Sequence, residues 1–138
     1  MRVIVDTNII VSGLISPAGS PGKIIDAVLQ GFLVPVMSPA TLAELSAVLS
    51  RPRLHRLFQR AGVESTRFLA DFRELAEIIE PYPSDIPVRD EKDRIFLDLA
   101  ATRPPVEFLI TGDRDFERKR YADVPVISAT AFVKTILS

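Results

Sequence analysis

The chain has 138 residues, of which 47% are hydrophobic and 25% charged, with a net charge of −1. This length and balance predict one packed domain over residues 1–138 and exclude a disordered or fibrous protein. The absence of cysteine excludes disulfides, zinc–thiolate sites and cysteine nucleophiles. Because Arg2 and Asp6 place charges in the N-terminal segment, we expect no signal peptide or membrane span and a cytoplasmic location.

The first part of the chain alternates short apolar strands with helices. Ser20-Pro21 and Ser38-Pro39 each combine a helix cap with proline at the first helical position. We predict a strand over 2–5, an apolar turn over 9–14, a helix from 20 to about 30, a strand over 32–37 and a helix from 38 to about 50.

The second part begins with two helices, expected over 52–58 and from about 65 to 79, which would form an inserted helical hairpin at about 52–79. A proline-rich connection follows over 80–88. We then predict a helix from about 90 to 102, a strand over 106–111, a short charged helix, a strand over 124–127 and a helix from 128. Alternating strands and helices indicate an α/β fold with a parallel sheet between helices.

Acids follow two of the predicted strands. Asp6 comes directly after the first strand, and Asp113 and Asp115 come after the strand that ends at Thr111. The functional crevice of an open parallel sheet lies at the carboxyl ends of its strands. Carboxylates gathered there repel one another unless cations bind between them, and such hard oxygen ligands favour Mg²⁺ or Mn²⁺, as one ion or a pair.

Four segments, in this order, resemble the PIN-domain family, and the resemblance is nearest to stand-alone PIN proteins related to VapC toxins. They are V-I-V-D-T-N-I-I-V-S at 3–12, S-P-A-T-L-A-E-L at 38–45, R-D-E-K-D-R-I-F-L-D-L-A at 89–100 and L-I-T-G-D-R-D-F at 109–116. The resemblance implies a three-layer α/β/α fold with a central parallel sheet and divalent-metal-dependent ribonuclease activity.

The resemblance also implies the site residues. The metal ligands and catalytic acids would be Asp6, Glu44, Asp93 and Asp113, with Asp115 as an alternative ligand. Thr7 and Asn8 would hold Asp6 by hydrogen bonds, and Thr111 would line the site. Asp90 stands three residues before Asp93 and could share its helix face; we prefer Asp93 as the ligand and Asp90 as a cap or supporting residue.

Each of these residues also has a purely structural interpretation. Asp6 could cap the following turn, Glu44 could be a solvated helix residue, and the pair at 113 and 115 could form a turn. Two basic runs could contact RNA phosphates, although such runs are usually solvated surface; their candidate residues are Arg51, Arg53, Arg114 and Arg118.

The leading hypothesis is an RNA-cleaving toxin held by a cognate antitoxin protein. The alternative is a non-catalytic PIN fold that binds RNA or protein. A phosphoacceptor domain is disfavoured, because Asn8 stands where a second aspartate would be expected after Asp6. We also expect a homodimer in which Leu57 and Phe58 supply an exposed apolar face; a monomeric mass in solution would remove this hypothesis.

Overall fold

The sheet is built around the apolar segment at the start of the chain. The computed structural model describes residues 1–83, 85, 87–88, 91–112, 120–121 and 123–138. The strands among them are β1 (Arg2–Val5), β2 (Val34–Met37), β3 (Glu77–Ile78), β4 (Phe108–Ile110), β5 (Arg120–Tyr121) and β6 (Val124–Ile127). They form one sheet in the order β3-β2-β1-β4-β6-β5. Neighbouring strands are parallel except β5, which runs antiparallel to β6.

Helices connect most of these strands. They are α1 (Thr7–Ile15), α2 (Ser20–Leu29), α3 (Pro39–Leu49), α4 (Pro52–Ala61), α5 (Ser65–Leu75), α6 (Arg94–Ala100) and α7 (Ala129–Phe132). A 3-10 turn (Glu91–Asp93) leads into α6, and a π-helical turn (Val133–Leu137) follows α7. Across the described ranges, no helix combines the length and apolar character needed to cross a membrane.

Both faces of the sheet are buried, which makes the molecule a three-layer α/β/α structure. Val3 and Val5 belong to a core cluster that helices α1 to α5 and α7 cover. Ile4, whose side chain points to the opposite face, belongs to a second cluster with residues of α6. A strand buried on both faces is apolar at every position, which explains the continuous V-I-V run. The predicted fold class is confirmed, with β5 as an antiparallel addition.

The segment after β1 is a helix, so the prediction of an apolar turn was wrong. Asp6 is the N-cap of α1, and its carboxylate accepts a hydrogen bond from the backbone N–H of Asn8 at 3.4 Å. Ile9, Ile10 and Leu14 are buried in the core. Because β-branched side chains are poor helix formers, burial of this face outweighs local propensity here.

The helix predicted to run to about Ile79 ends at Leu75, so the predicted boundary was wrong. Glu77–Ile78 instead form the edge strand β3, and the backbone N–H of Ile79 donates to the carbonyl of Met37 at 2.8 Å. The apolar spacing in this stretch suits either structure. The open edge of β2 decides between them, because it offers backbone hydrogen-bond partners to an extended segment.

The stretch between β4 and β6 also differs from the prediction in its last part. The predicted charged helix falls mainly on residues 113–119, which lie outside the described residues. Arg120 and Tyr121 form β5, opposite Pro125 and Val124 of β6. Tyr121 is buried in the core cluster beneath α6, and an aromatic side chain suits such a strand position.

Helix α4 buries a residue that we expected on its surface. Phe58 is only 3% exposed and belongs to the larger core cluster, whereas its neighbour Leu57 is 37% exposed. Adjacent helix residues point about 100° apart, so one of the pair faces the core and the other does not. Phe58 is therefore not part of an exposed dimer face, and the homodimer stays a prediction.

The difference in burial between Phe58 and Leu57 is measurable by urea unfolding of two alanine variants. We expect Phe58→Ala to lower the free energy of unfolding by about 3–5 kcal/mol, because it leaves a cavity in the core. Leu57→Ala should lower it by about 1 kcal/mol or less, since much of that side chain is already in water. Equal losses for the two variants would contradict the burial assigned to Phe58.

Candidate functional site

Asp6 stands where β1 ends and is held by groups from β4. Its backbone N–H donates to the carbonyl of Ile110 at 3.0 Å, continuing the pairing of the two strands. The hydroxyl of Thr111 donates to Oδ2 of Asp6 at 2.7 Å. Asp6 is only 6% exposed, so this hydrogen bond lies in a largely water-free environment. The two strand ends thus place one carboxylate at the carboxyl edge of the sheet.

Glu44 reaches the same edge from α3. This helix starts directly after β2, where the Ser38 and Thr41 side chains form a capping box. Glu44 is half-buried, and its Oε2 accepts a hydrogen bond from the hydroxyl of Thr7 at 2.6 Å. We expected Thr7 to hold Asp6; its hydroxyl instead donates to Glu44. This bond ties Glu44 to the residue that directly follows Asp6.

The Thr7–Glu44 contact is the part of the site that the sequence did not predict. The two residues are 37 positions apart, and they meet because α1 and α3 both start at the carboxyl edge. A threonine after a strand and a glutamate on a helix carry no shared pattern. Only the packing of the two helices reveals the pair.

Asp93 lies at the junction between the 3-10 turn and α6. Because α6 leads into β4, which is parallel to β1, its N-terminal end lies toward the carboxyl edge of the sheet. Asp93 is 8% exposed. The turn is held by Glu91 and Arg94, whose side chains pair at 2.7 Å, and the hydrogen bond to Glu91, followed by its charge, raises the pKa of Arg94.

The remaining predicted site residues are either peripheral or outside the described part of the chain. Asn8 is exposed and contributes its backbone N–H to Asp6. Arg51 and Arg53 are exposed at the start of α4, and Arg51 comes directly after Ser50, the C-cap of α3. The predictions for Asp90, Asp113, Arg114, Asp115 and Arg118 fall outside the described residues.

Neutral groups orient both carboxylates. The hydroxyl of Thr111 and the backbone N–H of Asn8 donate to Asp6, and the hydroxyl of Thr7 donates to Glu44. Carboxylate oxygens are hard ligands and fit a divalent cation such as Mg²⁺. Among the described residues, however, no three His, Asp or Glu side chains form a group that could hold a metal ion.

A family model decides what kind of domain this is. The model of the PIN domain matches residues 2–115. The chain belongs to the PIN domain family. PIN domains are generally nucleases, and they typically use divalent metals. The matched range begins with β1 and extends through Asp113 and Asp115, so it includes all the acids that the sequence singled out.

Two further comparisons give proteins that are similar to this chain in sequence or in fold. The chain is 32% identical over 115 residues to the uncharacterized protein MJ1680 of Methanocaldococcus jannaschii, covering 83% of this chain and 72% of that protein. Its fold is similar to a chain in the crystal structure of VapBC2 from Rickettsia felis bound to a DNA fragment from their promoter. The TM-score is 0.58 at 17% identity, covering 93% of this chain and 98% of that chain. This second likeness shows the fold alone.

The hydrogen bond to Asp6 can be tested by its effect on stability. We expect Thr111→Val to lower the free energy of unfolding by about 1.5–3 kcal/mol. Valine keeps the shape of the threonine side chain but removes the hydroxyl that donates to the buried carboxylate of Asp6. Thr135→Val is the control, since the Thr135 hydroxyl is exposed and donates only to a backbone carbonyl. Urea unfolding in EDTA measures both variants. A loss for Thr111→Val no larger than for the control would contradict the role assigned to this bond.

Proposed function

We propose that this PIN domain is a divalent-metal-dependent endoribonuclease. The supporting observation is the pair of bonds Thr111–Asp6 and Thr7–Glu44, which orient two acids from distant parts of the chain at one edge of the sheet. Asp93, at the start of α6, would complete the set together with an acid that follows β4. The proposed ligands and catalytic acids are Asp6, Glu44, Asp93 and Asp113, with Asp115 as the alternative to Asp113.

The mechanism follows from what these residues can do. A bound Mg²⁺ or Mn²⁺, as one ion or a pair, would supply an activated water and positive charge beside the leaving oxygen. Of the proposed ligands, Asp6 is held at two points: its backbone N–H donates to the Ile110 carbonyl, and its carboxylate accepts from the Thr111 hydroxyl. Glu44 is less buried and is oriented by Thr7 alone among the described contacts. No protein nucleophile is required, which agrees with the absence of cysteine from the chain.

The toxin assignment is a finer proposal than the family itself. It is supported by the sequence resemblance to VapC relatives and by the fold likeness to the Rickettsia felis VapBC2 structure. A toxin of this kind needs a cognate antitoxin protein, which would cover the acidic edge or supply a cation to it. We take RNA as the substrate on the same resemblance, because the acids themselves do not distinguish RNA from DNA.

A non-catalytic PIN fold is the second candidate. It is favoured by one observation, that the described residues alone form no group of three potential metal ligands. If no further acid joined Asp6, Glu44 and Asp93, the edge could bind a partner but would hold a metal weakly. A cleavage assay together with a metal-binding assay separates the two candidates.

We expect wild-type protein to cleave labelled single-stranded RNA in Mg²⁺ or Mn²⁺ and to lose this activity in EDTA. Asp6→Asn, Glu44→Gln and Asp93→Asn should each lower the rate by more than about 100-fold, because even outer partners of metal ligands are worth about 10–100-fold. Asp26→Asn and Glu74→Gln are matched controls at exposed positions and should cleave like wild type. Single-stranded DNA in the same assay tests the substrate class.

A thermal melt tests whether the protein binds a metal, independently of whether it cleaves RNA. Saturating Mn²⁺ at about 100 times its Kd should stabilise the wild type by about 2.7 kcal/mol and should stabilise Asp6→Asn much less. A folded wild type that neither cleaves RNA nor melts higher with metal would contradict the ribonuclease proposal and favour the binding module.

The toxin assignment predicts an effect on cells. Induced expression of the wild type in a bacterial host without the cognate antitoxin should arrest growth, and Asp6→Asn expressed to the same level should not. Growth arrest by both proteins, or by neither, would contradict the toxin assignment, whereas the in vitro assay would still decide whether the chain is a ribonuclease.

A further inference from the structure

The segment that links α3 to α5 carries a strong local positive charge. From Leu45 to Val63 the sequence contains four arginines, no lysine and no acid, so its charge is +4 with the histidine neutral. The whole chain has a net charge of −1. The segment is therefore more basic than the chain as a whole. The four residues are Arg51, Arg53, Arg56 and Arg60.

The geometry of α4 places three of these arginines on one exposed face. Arg53, Arg56 and Arg60 follow one another at intervals of three and four residues, the spacing of helix neighbours, and all three are exposed. They extend over about 10 Å along the helix axis. Arg51 precedes the helix as its exposed N-cap residue. The result is a row of guanidinium groups rather than a single charge.

The other face of α4 is already occupied. Phe58 is buried in the core, and Leu54 packs against the same cluster. A basic amphipathic helix can bind a membrane surface or a partner's groove, but both need a free apolar face. In α4 most of that face is covered by the protein's own core. The exposed row of arginines therefore suits a partner that is recognised by its charge.

The arginines of α4 are also not neutralised by neighbouring acids. Within the described part of the chain, ion pairs involve Arg2, Arg67, Arg94 and Arg103, and none involves an arginine of α4. Arg67 on the next helix, by contrast, lies 3.9 Å from Asp71. Like charges placed side by side repel one another, so a row of this kind is stabilised when an anion binds to it.

This basic row lies on elements that adjoin the candidate active site. Helix α4 packs against α1, which starts at Asp6, and it follows α3, which carries Glu44. Arg51 is the N-cap of α4 and comes directly after Ser50, the C-cap of α3, so the row begins where the helix that carries Glu44 ends. The acidic edge repels a polyanion until metal binds, so affinity for RNA has to come from another surface nearby.

We propose that the exposed arginines of α4 bind the phosphate backbone of single-stranded RNA. The choice of RNA as ligand rests on the ribonuclease function proposed above. Guanidinium groups pair well with phosphate oxygens, and backbone contacts of this kind position a strand without reading its sequence. The row would hold the strand on one side of the scissile bond while the acids act on the phosphodiester.

The test compares two triple variants in an Asp6→Asn background, which prevents cleavage during the measurement. One carries Arg53→Gln, Arg56→Gln and Arg60→Gln. The control carries Lys23→Gln, Arg67→Gln and Lys134→Gln, which removes the same charge from exposed positions elsewhere. Glutamine has nearly the helix propensity of arginine and lysine, and circular dichroism checks that both variants fold.

We expect the α4 variant to bind labelled single-stranded RNA more than about tenfold more weakly, with the slope of log K against log salt reduced by about 2 for three lost contacts. The control should change the Kd by less than about threefold. Equal weakening by both variants, unchanged binding by the α4 variant, or no binding by the Asp6→Asn parent at low salt would each overturn the proposal. Tighter binding of the α4 arginines to anionic lipid vesicles than to RNA would also overturn it.

The outcome can be separated from that of the ribonuclease proposal. RNA binding through α4 in a protein that shows no metal-dependent cleavage would leave this surface established and overturn the nuclease function. Normal cleavage by the wild type, together with unchanged RNA binding by the α4 variant, would overturn the surface alone.

Discussion

The burial of the Asp6 carboxylate depends on hydrogen bonds that cross from β4 to β1. A charged group removed from water costs several kcal/mol unless it is well paired, and the Asn8 backbone N–H and the Thr111 hydroxyl donate to this carboxylate. The bond from Thr111, and the bond from the Asp6 backbone N–H to the Ile110 carbonyl, require one register of the two strands, because a slip of one residue would turn every side chain of β1 to the opposite face. The same register sends Val3 and Ile4 into different core clusters. The same register of β1 and β4 is therefore required by the hydrogen bonds of Asp6 and by the packing of the core.

Glu44 and Asp93 are brought toward this edge by the direction in which their helices run. In a parallel sheet, a helix that follows one strand or leads into the next has its N-terminal end at the carboxyl edge. Asp93 lies directly before α6, and Glu44, in the middle of α3, reaches Thr7 at the start of α1. Gathering carboxylates here opposes stability, since like charges repel, and this is a common cost of functional sites. Hydrogen bonds from the hydroxyls of Thr7 and Thr111 limit that cost.

The low net charge of the chain conceals a separation of charge within it. Asp6, Glu44 and Asp93 lie toward the carboxyl edge of the sheet, and four arginines lie on and next to α4, whose apolar side belongs to the core. The net charge of −1 therefore says little about a nucleic-acid partner, because it averages over both regions. A polyanion responds to the local field at the surface it approaches, which here is set by α4.

The sequence by itself determined the fold class, because burial on both faces makes β1 apolar throughout and caps such as Ser38 mark helix starts. Four ordered segments that resemble PIN domains pointed to the family, and the acids within them became the candidate site residues. Tertiary structure decided that 7–15 form a helix, that Glu77–Ile78 join the sheet, and that Phe58 rather than Leu57 is buried. It also decided that Thr7 holds Glu44. These outcomes depend on contacts between distant segments, whose energies outweigh the small local preferences that a sequence pattern records.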